Sequence, residues 1–170
     1  MSIISNTTAL SNFASIGQLD LLRRLYQVLY IPTEVYEEVN TGLEEGYLFY
    51  QEVIPVLHPF SEAGWLHLAV MATNELRLFG ELPPRLHKGE AACLAIAELR
   101  HWTLLTDDNA ARAEATRRQI RLSGSIGCLV LAVERGLATL EQANAWLNEM
   151  TRSGYRSPIT DITPLLRRPS

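Results

Sequence analysis

Lysine is nearly missing from this 170-residue chain: Lys88 stands alone against fourteen arginines, and the formal net charge is −4. That balance excludes a protein that coats nucleic acid in bulk, which needs a broad excess of positive charge. Cysteine is as scarce. Cys93 and Cys128 are the only two, and both sit inside apolar helical patterns, so they read as buried free thiols rather than a disulfide framework. No Cys/His spacing suits zinc, and no run of apolar residues is long enough to span a membrane. The N-terminus lacks the basic region, apolar stretch and cleavage site of a signal peptide, which gives the expectation of a cytoplasmic chain. Residues 123–127, SGSIG, lack the third glycine of GxGxxG, and the one lysine follows His87 rather than closing a Walker A loop. Internal repeats and low-complexity segments are absent as well.

What remains is an ordinary globular composition, 47% apolar and 20% charged, at a length that suits one domain with a sizeable core. Residues 1–155 are expected to form that domain and 156–170 a partly ordered C-terminal tail. Residues 3–5 read as a short buried strand, followed by a helical stretch from about Leu10 and by LDLLRRLY, with Leu19, Leu22 and Tyr26 on one face. VLYIP reads as a second strand, and Thr33 as the cap of helix EVYEEV. TGLEEG signals a turn. Residues 47–84 are less periodic, with a helix from Tyr47, a strand over 65–70 and a break at Pro83-Pro84.

From Lys88 the pattern sharpens into helix 89–100, strand 103–106, helix 109–118, a short strand over 120–122 and helix 125–135. Such alternation implies a parallel sheet with helices on both faces. Thr139 and Gln142 form a capping box for a last amphipathic helix that ends before Gly154.

Three stretches carry oxygen ligands at the ends of apolar runs. MSIISNTT stops at small polar residues, KGEAACLAIA places Glu90 at a helix start, and LLTDDNAAR stops at Asp107 and Asp108. Strand ends of an open parallel sheet share one edge, where ligands bind, so these residues can meet in space. Each also has a plainer reading: Glu90 as a first-turn carboxylate, Asp108 as an N-cap. Of Glu34, Glu37 and Glu38, spacing lets only one point inward, with Glu38 the candidate. Arg112, Arg117, Arg118 and Arg121 follow the aspartates, either as a guide for a phosphate backbone or as a solvated helix face. Ser125 can offer its hydroxyl to a phosphate at a helix N-terminus. His58, His67, His87 and His101 share no ligand spacing.

Taken in order, SNTTALSNFASIGQLDLL, VLYIPTEVYEEV, KGEAACLAIAEL, LLTDDNAAR and GSIGCLVLAVERG resemble a PIN domain. This is the fold of the VapC ribonuclease toxins, and the likeness is strongest to a bacterial PIN subgroup that begins with a similar SNT segment. It covers residues 3–154 and is weakest over 41–84. The resemblance implies a three-layer α/β/α domain with a central, mostly parallel sheet. It implies a metal-dependent endoribonuclease using Mg2+ or Mn2+ on single-stranded RNA, the toxin of a toxin–antitoxin pair, with a small antitoxin partner and a homodimer. Carried over by position, the catalytic residues are Asn6, Glu38, Glu90 and Asp108. Glu90 and Asp108 are the main metal ligands, Asn6 and Glu38 complete the shell, and Asp107 is a neighbouring ligand. Ser125 matches the small hydroxyl residue beside the site, and Arg112 is a candidate phosphate contact.

Asn6 departs from the Asp of most PIN nucleases, although similar subgroup members carry Asn. It offers an oxygen without a charge, which predicts weaker metal binding and slower hydrolysis. The alternative is therefore a catalytically weak or inactive PIN-like module that binds RNA or a protein partner. A phosphoryl-accepting receiver domain would fit the two aspartates and Ser125, but it needs a lysine on a late strand and none follows Lys88.

Overall fold

Three residues suffice for a strand when both of its faces are covered. In the computed structural model, which describes residues 2–167, β1 (Ile3–Ser5) is buried along its whole length. It lies between β2 (Leu29–Pro32) and β5 (Thr103–Leu105), with Ile4 opposite Tyr30 and opposite Leu104. β4 (Leu66–Ala69) and the two-residue β3 (Leu57–His58) extend the sheet beyond β2, and β6 (Leu122–Ser123) extends it beyond β5. The order is β3-β4-β2-β1-β5-β6, and every pairing is parallel.

Helices cover both faces, giving the expected α/β/α layers. α3 (Thr33–Glu44), α4 (Thr73–Glu81), α5 (Lys88–Arg100) and α6 (Asn109–Arg117) pack together, while α1 (Thr7–Ser15), α2 (Leu19–Tyr26), α7 (Ser125–Glu134) and α8 (Leu140–Arg152) form the other group. α5 is buried from Gly89 to Ala97 without an exposed stripe. Its alanines let it lie close on β1, β2 and β5, as a helix that is apolar all round must.

Several local expectations change. Thr33 does not cap α3: Pro32 occupies the N-cap position and no side chain makes the capping bond. The helix also runs through the expected TGLEEG turn as far as Glu44. Gly42 is needed there for packing, since a Cβ on it would stand 2.6 Å from the Tyr50 ring; the turn itself comes at Gly46, with φ +97°. The helix expected from Tyr47 is two 3-10 turns, Leu48–Glu52 and Ile54–Val56, because Pro55 has no N–H with which to extend an α-helix. α4 and β3 were not legible in the sequence. α1 begins ahead of Leu10 because the Asn6 side chain accepts the Ala9 N–H at 3.4 Å. Thr139 and Gln142 cap α8 reciprocally as expected.

Beyond α8 the chain keeps touching the domain. Ile162 is fully buried, its N–H bonds Asn144 Oδ1 at 2.9 Å, and a 3-10 turn follows at Thr163–Leu165. The remainder of the expected tail, 168–170, lies outside the described residues. Both thiols are buried and free. Burial pushes Cys128 up to about 12 and Cys93 well above the usual thiol range, the latter with help from nearby glutamate charges, so both are inert at neutral pH. Among the described residues, no helix is long and apolar enough to cross a membrane.

Candidate functional site

The chain leaves β1 toward one side of the sheet and returns through β5 on the other, so the C-terminal ends of these neighbours form the crevice where ligands bind in open parallel sheets. Asn6 ends β1 and is 1% exposed. Its Nδ2 donates to Thr106 Oγ1 at 2.6 Å, and its Oδ1 accepts the Thr8 hydroxyl at 2.8 Å. The two threonines in turn take the next backbone N–H groups of the β5 loop: Asp107 N donates to Thr8 Oγ1 at 3.2 Å and Asp108 N to Thr106 Oγ1 at 3.1 Å. The amide of Asn6 thus ties the two strand ends together.

Beside this tie lies a cavity of about 680 Å³ that brings together Asn6, Glu38 and Glu90, from β1, α3 and α5. Glu38 is aimed by two donors, the Gly89 N–H to Oε1 at 2.9 Å and the Thr7 hydroxyl to Oε2. Glu90 Oε2 accepts the His87 N–H at 3.0 Å, which is the first-turn role of its plainer reading. Asp108 is also the N-cap of α6, accepting the Ala111 N–H at 2.8 Å. Neither role consumes the whole carboxylate: among the described residues, Glu90 Oε1 and Asp108 Oδ1 accept no hydrogen bond. Burial raises the pKa of Glu90; the His87 N–H opposes this, while the charges of Asp108 and Glu38 add to it. Those two carboxylates therefore stand close enough to Glu90 to repel it.

Glu34 and Glu37 line the same cavity, so the expectation that only one glutamate of α3 points inward is corrected. Glu34 and Glu38 share a face at i,i+4, so both turn to the cavity, while Glu37 lies exposed at its wall. Glu34 Oε2 is buried with no hydrogen-bond partner.

Asp107 is taken up by other partners. Its Oδ1 accepts the Ser125 N–H at 2.8 Å and its Oδ2 accepts Asn12 Nδ2 at 2.9 Å and the Ser125 hydroxyl, while the Tyr155 hydroxyl reaches Oδ1 at 3.5 Å. Ser125, fully buried, is thereby committed to Asp107. Arg112 Nη1 donates to the carbonyls of Thr106 and Ser123, at 2.8 and 3.2 Å, and clamps β5 to β6. Arg117 and Arg118 turn to Glu114, and Arg118 also pairs with Glu98 at 3.0 Å.

Whether these residues suit a divalent cation follows from their free atoms. Among the described residues, no group of three or more His, Cys, Asp or Glu side chains converges on a metal position. The donors are nonetheless all oxygen, Glu90 and Asp108 each keep one oxygen free, and Glu34 carries an orphaned one. This suits Mg2+ or Mn2+, hard ions that take one or two carboxylates and fill the remaining positions with water and phosphate.

Sequence reasoning missed Thr7, Thr8, Asn12, Thr106 and Tyr155. One signal was available: Thr8, Ser11, Asn12 and Ser15 repeat at helical spacing, a polar stripe on a helix whose other face is core.

Residues 2–169 match a protein family described as PIN domain. No curated protein matches the chain.

Proposed function

The chain belongs to the PIN-domain family, and on that premise we propose that it is a metal-dependent endoribonuclease cleaving single-stranded RNA, the toxin of a toxin–antitoxin pair. The observation that supports this reading is the cavity that gathers Glu38 and Glu90 with Asn6 at the end of β1; Asp108 lines the neighbouring cavity, and its charge, like that of Glu38, acts on Glu90. Like charges held together in a half-closed space favour a cation. Glu90 and Asp108 would hold Mg2+ or Mn2+ through their free oxygens. A bound divalent ion supplies Lewis acidity to the phosphodiester and to the water that attacks it. Glu38, fixed by Thr7 and Gly89, and Asn6, fixed by Thr8 and Thr106, shape the wall facing that position. The same reading makes the protein a cytoplasmic homodimer neutralised by a small antitoxin.

Asn6 favours a second reading, a catalytically weak module that binds RNA or a protein. Its amide donates to Thr106, a bond that a carboxylate keeps only if the threonine hydroxyl reverses. Calorimetric titration with Mn2+ and cleavage of single-stranded RNA test both readings. Weak Mn2+ binding is expected in the wild type and should vanish in Glu90→Ala/Asp108→Ala; equal affinity in the two removes the metal site. Asn6→Asp should raise both Mn2+ affinity and cleavage, and removing Asp108 in that background should abolish the gain. Metal binding without cleavage in the wild type and in Asn6→Asp would leave the non-catalytic module.

A further inference from the structure

The cavity beside Glu90 does not end at the carboxylates. Thr8 also lines a second cavity of about 420 Å³, whose walls include Phe49, Asn12, Asn109 and Tyr155. Asp107, Asn109, Tyr155 and Arg156 line both this cavity and a third, of about 360 Å³, which Arg112 also lines. Shared lining residues place the three side by side, with Thr8 alone between the first two, and together they are called the trough. Each outer cavity is of a size that takes a small ligand, roughly 300–1,000 Å³.

Charge changes sign along it. Five glutamates and one lysine, Lys88, line the first cavity. In the third, Arg112 and Arg156 line the wall with Asp107; Arg112 is held by the Thr106 and Ser123 carbonyls and the Asp107 oxygens are taken by Ser125, Asn12 and Tyr155. Arg156 is exposed and, among the described residues, makes no ion pair or hydrogen bond. Phe49 and Tyr155 are half-buried, and both line the second cavity.

We propose that this trough is the track for single-stranded RNA, with a backbone phosphate taken by Arg156 and a base packed against Tyr155 and Phe49. The choice of RNA rests on the ribonuclease reading. An unpaired cation beside open aromatic rings is the combination that holds single strands, since phosphates take the charge and any base can stack. The acidic cavity repels a phosphate unless a cation fills it, whereas the Arg156 end attracts one unaided. Anchoring is therefore separable from the metal: the strand binds at the Arg156 end in its absence and reaches the carboxylates only in its presence.

Fluorescence anisotropy of a labelled, unstructured RNA about a dozen nucleotides long, in EDTA, tests this. Wild type should bind in a salt-dependent manner. Arg156→Ala should weaken binding roughly fivefold or more and flatten the salt slope by about 0.7, one phosphate contact on a single strand. Tyr155→Leu should weaken it roughly fivefold or more, Tyr155→Phe should retain it, and Arg77→Ala on α4, which lines none of these cavities, should bind as wild type. Thermal melts verify that each variant folds. If Arg156→Ala and Tyr155→Leu bind like wild type, or an oligoglutamate peptide displaces the RNA at equal concentration, the track is wrong. Mn2+-dependent cleavage by a wild type that binds no RNA in EDTA would overturn the track and leave the ribonuclease reading intact. Arg156-dependent binding without cleavage would support the track and remove that reading.

Discussion

Glu90 is held against its own electrostatic preference. Burial raises its folded-state pKa above the ordinary 4.5, and Asp108 and Glu38 add to the rise. The folded chain therefore binds this proton more tightly than the unfolded chain. The stability contribution is favourable at low pH and is lost as pH rises from about 4.5 through the raised folded value. At neutral pH the charged side chain is a net liability, tolerated where a site needs it. Glu90→Gln can still accept the His87 N–H through its amide oxygen. In EDTA it should melt higher than wild type at pH 7 and close to wild type at pH 4. An unchanged or lower melting temperature at pH 7 would show that the carboxylate is not strained.

At the scale of elements, the site depends on how closely α5 approaches α3. A Cβ on Gly89 would stand 2.5 Å from Glu38 Oε1. Alanine there would favour the helix by about 1 kcal/mol, and the flexible end of Glu38 can swing aside. Gly89→Ala should therefore fold with a melting temperature near that of wild type while losing the aim of Glu38, weakening Mn2+ about tenfold or more, as loss of a supporting contact does at metal sites. Calorimetry beside a thermal melt separates the two effects; unaltered Mn2+ affinity would detach Glu38 from the site. The same closeness explains why α5 was readable from its Ala/Leu/Ile pattern whereas α4 was not. α4 is fixed by Glu75, which accepts the Ala72 N–H at 2.7 Å and forks onto Arg100 at 2.6 and 2.9 Å, a tertiary pair with no periodic trace.

Across the whole molecule, buried carboxylates with arginine partners set the acid limit of stability. Hydrogen bonds from Arg117 and Arg118 hold Glu114 down at about 2, and those from Arg100 lower Glu75. Depressed carboxylates contribute stability that is complete above the unfolded value of about 4.5 and is lost as pH falls toward the folded value. Denaturant melts should accordingly weaken between about pH 4.5 and 2, and Glu114→Gln should flatten that limb; an unaltered slope would place the acid sensitivity elsewhere. Stability at neutral pH also draws on the C-terminal segment. Ile162 is completely buried, so Ile162→Ala should cost about 2–4 kcal/mol in urea unfolding, and a change below about 0.5 kcal/mol would mean that the segment only rests on the domain.

The alternation of strands and helices after Lys88 and the alanine pattern of α5 were enough to establish a parallel sheet covered on both faces, because period and burial are written locally in residue type. The oxygen-bearing ends of β1 and β5 were legible for the same reason. Tertiary structure decided which oxygens remain free. Asp107 and Asp108 are adjacent and chemically alike, yet one is consumed by Ser125, Asn12 and Tyr155 while the other accepts only the Ala111 N–H among the described residues and its charge acts on Glu90. Donors 18, 95 and 48 positions away make that difference, and no local pattern encodes them. β3, α4 and the trough past Tyr155 were hidden likewise, since each exists only through contacts between segments distant in the chain.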